Sequence, residues 1–200
     1  MDLISEPGRP SRPSRRRGDE LEAALLSAAW EQLLEAGYSG FTFDAVAERA
    51  RTSKPVLYRR WPTRQDLLAA TLARQGKESA LTVPETGSLR GDLIALLEQA
   101  NARPERYLAM FSVVAGGFAA EGMRPEDIRD QFLAQTPSTV DRILADARRR
   151  GELSDGPVAT SVRDVLFDLF RMRLFLASAP LPHTDLVSLV DDIYLPLLTA

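Results

Sequence analysis

The sequence predicts an all-α protein, a three-helix helix-turn-helix head followed by a larger helical C-terminal body, with about nine helices in total. Three observations carry this. Apolar residues recur at three-to-four spacing in one segment after another. Prolines and glycines stand where helices start and stop, and no segment alternates polar with apolar residues as a half-buried strand does.

Residues 1–18 hold Pro7, Gly8, Pro10, Pro13, Gly18 and five arginines, with almost nothing apolar after Ile4, so they are expected to form a disordered Arg-rich arm. From Asp19 the pattern turns helical. Leu26, Ala29, Trp30, Leu33 and Leu34 share the apolar face, Asp19, Glu20 and Glu22 suit the positive end of the dipole, and Gly37 closes the helix. Thr42 is placed to cap a short second helix carrying Val46, Ala47 and Ala50. Ser53 is placed to cap a third, with Pro55 in its first turn, Val56, Leu57, Tyr58 and Trp61 along it, and Pro62 ending it. Thr63 and Asp66 make a capping box for a fourth helix reaching about Lys77. Further helices are expected over roughly 88–102, 104–121, 125–150, 157–178 and 183–198. Pro104, Pro125 and Pro157 sit in first turns, and Pro137 kinks or splits its segment. The expected organisation is thus an arm (1–18), a head (19–64) and a body (65–200).

Composition narrows the function classes. With 44% hydrophobic residues, the 200-residue chain can build a packed interior. No run of eighteen apolar residues and no charged-then-apolar leader is present, so a cytoplasmic protein without a membrane span is expected. There is no cysteine and one histidine, His183, which removes thiolate zinc sites, cysteine nucleophiles and His-rich metal sites; neither a metal nor a cofactor is expected. The net charge of -3 hides an asymmetry. Residues 1–64 hold eleven basic and nine acidic residues, and 65–200 hold fourteen basic and nineteen acidic, so a +2 end precedes a -5 body. The cations cluster at Arg9 to Arg17 and at Arg49 to Arg64, a stretch with no acidic residue. Only Lys54 and Lys77 are lysines; the arginine excess suits phosphates and guanine edges, and equally reflects GC-rich codon usage.

The second and third helices, joined by a three- to four-residue turn, have the helix-turn-helix arrangement, whose third helix fits a DNA major groove. The stretch from Phe41 to Leu68, FTFDAVAERARTSKPVLYRRWPTRQDLL, resembles the DNA-binding domain of TetR/AcrR-type transcriptional regulators, through its Ala-Glu-Arg-Ala second helix, Ser-Lys before Leu-Tyr, a following aromatic and a capped fourth helix. The likeness covers about residues 20–70. It implies a homodimer on a double-stranded DNA operator, with a body that binds a small effector and dimerises through its last two helices. One position departs from the pattern: Arg51 stands where the turn usually has glycine, and if that position needs positive φ the arginine costs roughly 1 kcal/mol. Either the turn has relaxed or Arg51 is kept because it reaches a phosphate.

Reach assigns the remaining roles. Thr42, Tyr58 and Arg64 are candidates for phosphates; Ser53, at the start of the third helix, belongs to the same interface. Lys54, Pro55, Val56, Arg59 and Arg60 are candidates for base edges. Trp61 reads as core, and the Arg-rich arm either follows the DNA or only solubilises the chain.

In the body, Tyr107, Met110, Phe111, Val114 and Phe118 form a stripe that Phe132, Phe167 and Phe170 can meet. It is either plain core or an apolar, aromatic effector pocket. Val165 to Leu176 is apolar nearly all round, so one face must meet something outside its own core. Phe170, Arg171, Leu174 and Phe175, with Leu189, Ile193, Tyr194 and Leu197 of the last helix, are the candidates for a two-fold four-helix interface. Arg171 and Arg173 need partners there, which Asp168, Asp191 or Asp192 can supply. Alternatively Arg171 faces the cavity and meets an anionic effector. The reading that fits best is a ligand-responsive dimeric repressor of a palindromic operator, released by a small apolar or aromatic effector, although nothing sets repression over activation. The competing reading is a helical adaptor that does not bind DNA, or a small helical enzyme. Against an enzyme stands the scatter of the carboxylates, none of them beside a histidine.

Overall fold

The computed structural model describes residues 14–78, 80–120 and 136–199; the side chains of 14–17, 117–120, 136 and 137 lie outside the description, as do residues 1–13 of the arm and Phe132. The described residues contain helices and no strand, which agrees with the all-α expectation. The helices are α1 (Ser14–Gly40), α2 (Phe43–Arg49), α3 (Lys54–Tyr58), α4 (Arg64–Glu78), α5 (Leu89–Asn101), α6 (Pro104–Ala120), α7 (Thr136–Arg149), α8 (Thr160–Ala177) and α9 (His183–Ser188). A π-helical turn, Leu189–Tyr194, and α10, Leu195–Thr199, continue from α9.

α1 starts earlier than the sequence suggested. Residues 14–18, expected to belong to a disordered arm, are helical. Once α1 is nucleated, each added residue costs little, and arginine is a good helix former. At the other end Gly37 takes φ 62° and ψ -170°, which breaks the regular helix where the glycine was expected to end it. Pro137 falls in the first turn of α7, a place that tolerates proline, so the described helix is neither kinked nor split there. The π-helical turn ends just before Pro196, whose ring would meet the carbonyl four residues back in a regular helix.

Two apolar cores result. The first is built by Leu25, Leu26, Leu33, Phe41, Val46, Leu57 and Trp61 of the head, with Trp30 packed against it. It continues through Leu67, Leu68 and Leu72 of α4 into Ala109, Met110 and Val113 of α6. The second unites α5, α7, α8 and the C-terminal helices around Leu93, Ile143, Phe167, Phe170, Leu189 and Tyr194, and takes Tyr107 from α6. α6 therefore serves both cores.

The segment leading into α5 is anchored by one buried carboxylate. Asp92 accepts hydrogen bonds from the Thr86 backbone N–H and hydroxyl, each at 2.7 Å, and from Arg150 at 3.0 Å. Arg150 also meets Glu152, which accepts from the Leu89 N–H at 2.7 Å. Those two interactions hold the Glu152 carboxyl below its ordinary value, the Arg150 hydrogen bond contributing most. Removing Asp92 takes away the buried acceptor that ties Thr86 to α5 and holds Arg150. Asp92→Ala is expected to lower the unfolding free energy by about 3 kcal/mol in urea titrations.

Candidate nucleic-acid interface

The head is assembled around a two-helix corner. Thr42 caps α2, its hydroxyl accepting from the Ala45 N–H at 3.2 Å. At the other end of α2 the Arg51 N–H bonds the Glu48 carbonyl at 3.0 Å and the Thr52 N–H bonds the Ala47 carbonyl at 2.9 Å. This pair of bonds is the Schellman ending, which puts the residue after the cap in the left-handed region. Arg51 indeed has φ 50°. The turn has not relaxed. The same ending closes α7, where Gly151 occupies the equivalent place with φ 77°.

α3 follows at once. Ser53 stands at its N-cap without a side-chain hydrogen bond, Pro55 lies in its first turn, and Leu57 is fully buried. Trp61 closes the head as expected. The Thr63–Asp66 capping box is reciprocal, the Thr63 N–H meeting the Asp66 carboxylate at 3.0 Å and the Asp66 N–H meeting the Thr63 hydroxyl at 3.1 Å.

With Leu57 facing inward, the opposite face of α3 is open to solvent. Ser53, Lys54, Pro55, Tyr58 and Arg59 are exposed, and Thr42 and Arg51 are exposed beside them; Val56 is partly buried against the head core. Arg51 and Arg59 make no ion pair with any described residue. The Lys54 ammonium lies 2.5 Å from the Asp44 carboxylate, a hydrogen bond that raises its pKa above the ordinary lysine value. Tyr58 is 49% exposed, and its ring stacks on Phe43 with centroids 4.3 Å apart, which fixes the ring.

Two of the expected DNA-facing arginines are used otherwise. Arg64 was expected at a phosphate. Its guanidinium instead donates to the Tyr38 carbonyl and lies 4.1 Å over the Tyr38 ring. Arg60, expected at a base edge, is partly buried and reaches Glu22 of α1 at 3.4 Å. Both changes have one cause: α1 passes behind α3 and α4, and its carboxylates and carbonyls take cations that follow α3. Arg49 behaves alike, bonding Gln32 at 3.0 Å and pairing with Glu31 and Glu35. Sequence reasoning missed the supports of the site, Asp44 under Lys54 and Phe43 under Tyr58, because nothing in a linear pattern reports contacts between residues ten and fifteen apart across a turn.

The body residues separate more than expected. Tyr107, Phe167 and Phe170 pack together, Tyr107 and Phe170 edge to face at 5.6 Å and Phe167 and Phe170 at 5.9 Å. Met110 belongs to the head core, Val114 is partly buried beside it, and Phe111 meets Phe175 at 4.3 Å. The Phe118 side chain and Phe132 lie outside the description. The interface set is also corrected. Phe170, Leu174, Leu189 and Tyr194 are buried within the chain, because α8 turns that face onto α6, α7 and the C-terminal π-helical turn, and Arg171 is nearly so. Ile193 is partly buried. Phe175 and Leu197 stay exposed, together with Met172 and Leu176, which the sequence reading did not single out. Asp168 does meet Arg171, while Asp191 is taken by Arg90 and Asp192 by Ser188.

Among the described residues no helix is long and apolar enough to cross a membrane. Residues 25–71 match the model of the tetR family of bacterial regulatory proteins, and residues 83–193 that of the tetracyclin repressor-like C-terminal domain. The chain is 31% identical over 191 residues to an uncharacterized HTH-type transcriptional regulator of Mycobacterium tuberculosis, covering 96% of this chain and 93% of that one. It is 32% identical over 186 residues to the DNA-binding transcriptional repressor TetR of Mycobacteroides abscessus, covering 91% and 96%. In fold it resembles FadR of Bacillus subtilis, solved in complex with stearoyl-CoA, with a TM-score of 0.64 at 14% identity over 88% of this chain and 97% of that one.

The left-handed Arg51 carries a conformational cost that glycine would not. Arg51→Gly is expected to raise the unfolding free energy of the head by about 1 kcal/mol, read by chemical denaturation.

Proposed function

The chain belongs to the TetR family of DNA-binding transcriptional regulators, and from that premise we propose that it is a homodimeric, ligand-responsive repressor of a palindromic operator. The observation that carries this reading is the outward face of α3. Lys54, Pro55, Tyr58 and Arg59 are presented together, with Arg51 and Thr42 at its margin, on a helix fixed from behind by Leu57. Lys54 and Arg59 are assigned to base edges, Pro55 and Val56 to thymine methyls, and Thr42, Arg51, Ser53 and Tyr58 to the backbone.

Each protomer places α3 in a major groove, with half-sites about 34–36 Å apart or somewhat more. Dimerisation is supported by Met172, Phe175, Leu176 and Leu197, large apolar side chains left exposed on α8 and the last helix. The effector is apolar or aromatic, supported by the aromatic cluster of the body and by a fold neighbour solved with stearoyl-CoA. Its action requires differential affinity for two dimer geometries. A tenfold change in operator affinity corresponds to about 1.4 kcal/mol of coupling.

Binding to DNA from upstream of its own gene, followed by fluorescence anisotropy, is expected to give log K falling linearly with log salt. Arg51→Gly is expected to bind more weakly and to reduce the slope by about 1, the signature of one lost phosphate contact. Lys54→Ala and Arg59→Ala are each expected to cost about 1–3 kcal/mol and to relax preference at single base positions. Binding insensitive to salt, or a monomer at micromolar concentration in sedimentation, would overturn the reading.

A further inference from the structure

Arg171 is the one charged side chain that α8 carries into the aromatic interior of the body among the described residues, and it is incompletely satisfied there. Its side chain is 9% exposed. The guanidinium lies 5.2 Å from the Phe167 ring, and Phe167 and Phe170 are fully buried beside Tyr107. Among the described residues one carboxylate touches it: Asp168 meets Nη1 at 3.1 Å, but Asp168 is 67% exposed and shares its charge with solvent.

The opposite edge of the guanidinium, Nε with Nη2, is the one that forks onto carboxylates. This chain uses it twice, at Arg90 with Asp191 and at Arg163 with Asp164. In Arg171 the Nε of that edge is buried and has no hydrogen-bond partner among the described residues. Arg60, Arg64, Arg74 and Arg148 also have a buried unbonded Nε, but each of those side chains is only partly buried. A planar cation in apolar surroundings with a buried, unbonded Nε is costly unless an acceptor completes it.

The surrounding charges point the same way. Asp164 is already forked by Arg163, and Arg106 adds a second, half-buried positive charge on α6. Burial is the main influence on both Arg171 and Arg106 and lowers each from its ordinary value, more than the nearby carboxylate and phenol raise them. Tyr107 lies close enough to feel both guanidiniums, which oppose the rise that burial imposes on its phenol.

We infer that Arg171, with Tyr107 beside it, receives the carboxylate of an amphipathic organic acid whose apolar part packs among Tyr107, Phe167 and Phe170. This rests on the effector reading and adds to it the charge and class of the ligand. The acid docks by its two oxygens on the Nε–Nη2 edge, while Asp168 keeps Nη1. An alcohol of the same carbon skeleton lacks the charge and the second acceptor, so it pairs with only part of that edge.

Isothermal titration of the full chain with two matched pairs tests this: decanoate against decan-1-ol, and 2-naphthoate against 2-naphthalenemethanol. The acid of at least one pair is expected to bind at least tenfold more tightly than its alcohol. Arg171→Met is expected to remove that preference while keeping alcohol affinity and operator binding, the latter reporting an intact fold. Equal binding of acid and alcohol by the unaltered chain, or a preference that survives Arg171→Met, overturns the carboxylate site and leaves the apolar-effector reading standing. Failure of all four compounds to bind at millimolar concentration overturns both. The comparison within the unaltered chain decides the matter even if Arg171→Met does not fold.

Discussion

The ring of Tyr38 is the point on which both halves of the chain depend. The Arg64 guanidinium covers one side at 4.1 Å and ties the Tyr38 carbonyl to the start of α4. On α6, Gly116 leaves room for the ring: a Cβ added there would come within 2.8 Å of Tyr38 Cδ1. Gly37 makes the approach possible, since its φ of 62° turns the chain at the end of the long regular part of α1 and delivers Tyr38 into the gap. Two glycines and one arginine thus fasten α1, α4 and α6 at one place. Close-packed groups at a joint of this kind resist compression, so a displacement of one helix is passed to the others. A shift of α6 therefore has a direct mechanical route to the helices that carry α3.

That arrangement explains how the cations are divided. The basic stretch from Arg49 to Arg64 serves two tasks. Arg49, Arg60 and Arg64 face backward onto α1, where Glu22, Glu31, Glu35, Gln32 and Tyr38 receive them. Arg51, Lys54 and Arg59 face forward. The first group sets the angle of the head helices, and the second meets the solvent side. The overall charge of -3 describes neither group, since it averages them with an acidic body.

The parts of the fold that were legible in the sequence rest on local chemistry. The Thr42 cap, the Thr63–Asp66 box, the turn at Gly37 and the inward Trp61 are each decided within one or two turns of helix, so residue type and spacing were sufficient. The direction of long side chains was not legible. Arg60 and Arg64 have the reach to turn either way, and their direction is set by α1 residues that lie 38 and 26 positions earlier in the chain. The same holds for Val165 to Leu176. An all-round apolar pattern announces two buried faces but not which residues take which, and it is the packing of α8 against α6, α7 and the C-terminal turn that hides Phe170 and Leu174 and leaves Met172 and Leu176 outside. Left-handed Arg51 was flagged because a glycine was expected, and the backbone bonds to Glu48 and Ala47 give the physical reason.

The two-core construction also gives the molecule an intrinsic optical division. Both of its tryptophans, Trp30 and Trp61, belong to the first core, whereas the second contains tyrosine and phenylalanine but no tryptophan among its residues. Indole emission therefore follows the first core alone, whereas phenol emission is shared between that core and the head, through Tyr38 and Tyr58, and the body, through Tyr107 and Tyr194. Loosening of the first core can thus be followed in the native chain by its indoles, without an attached dye or a substituted residue.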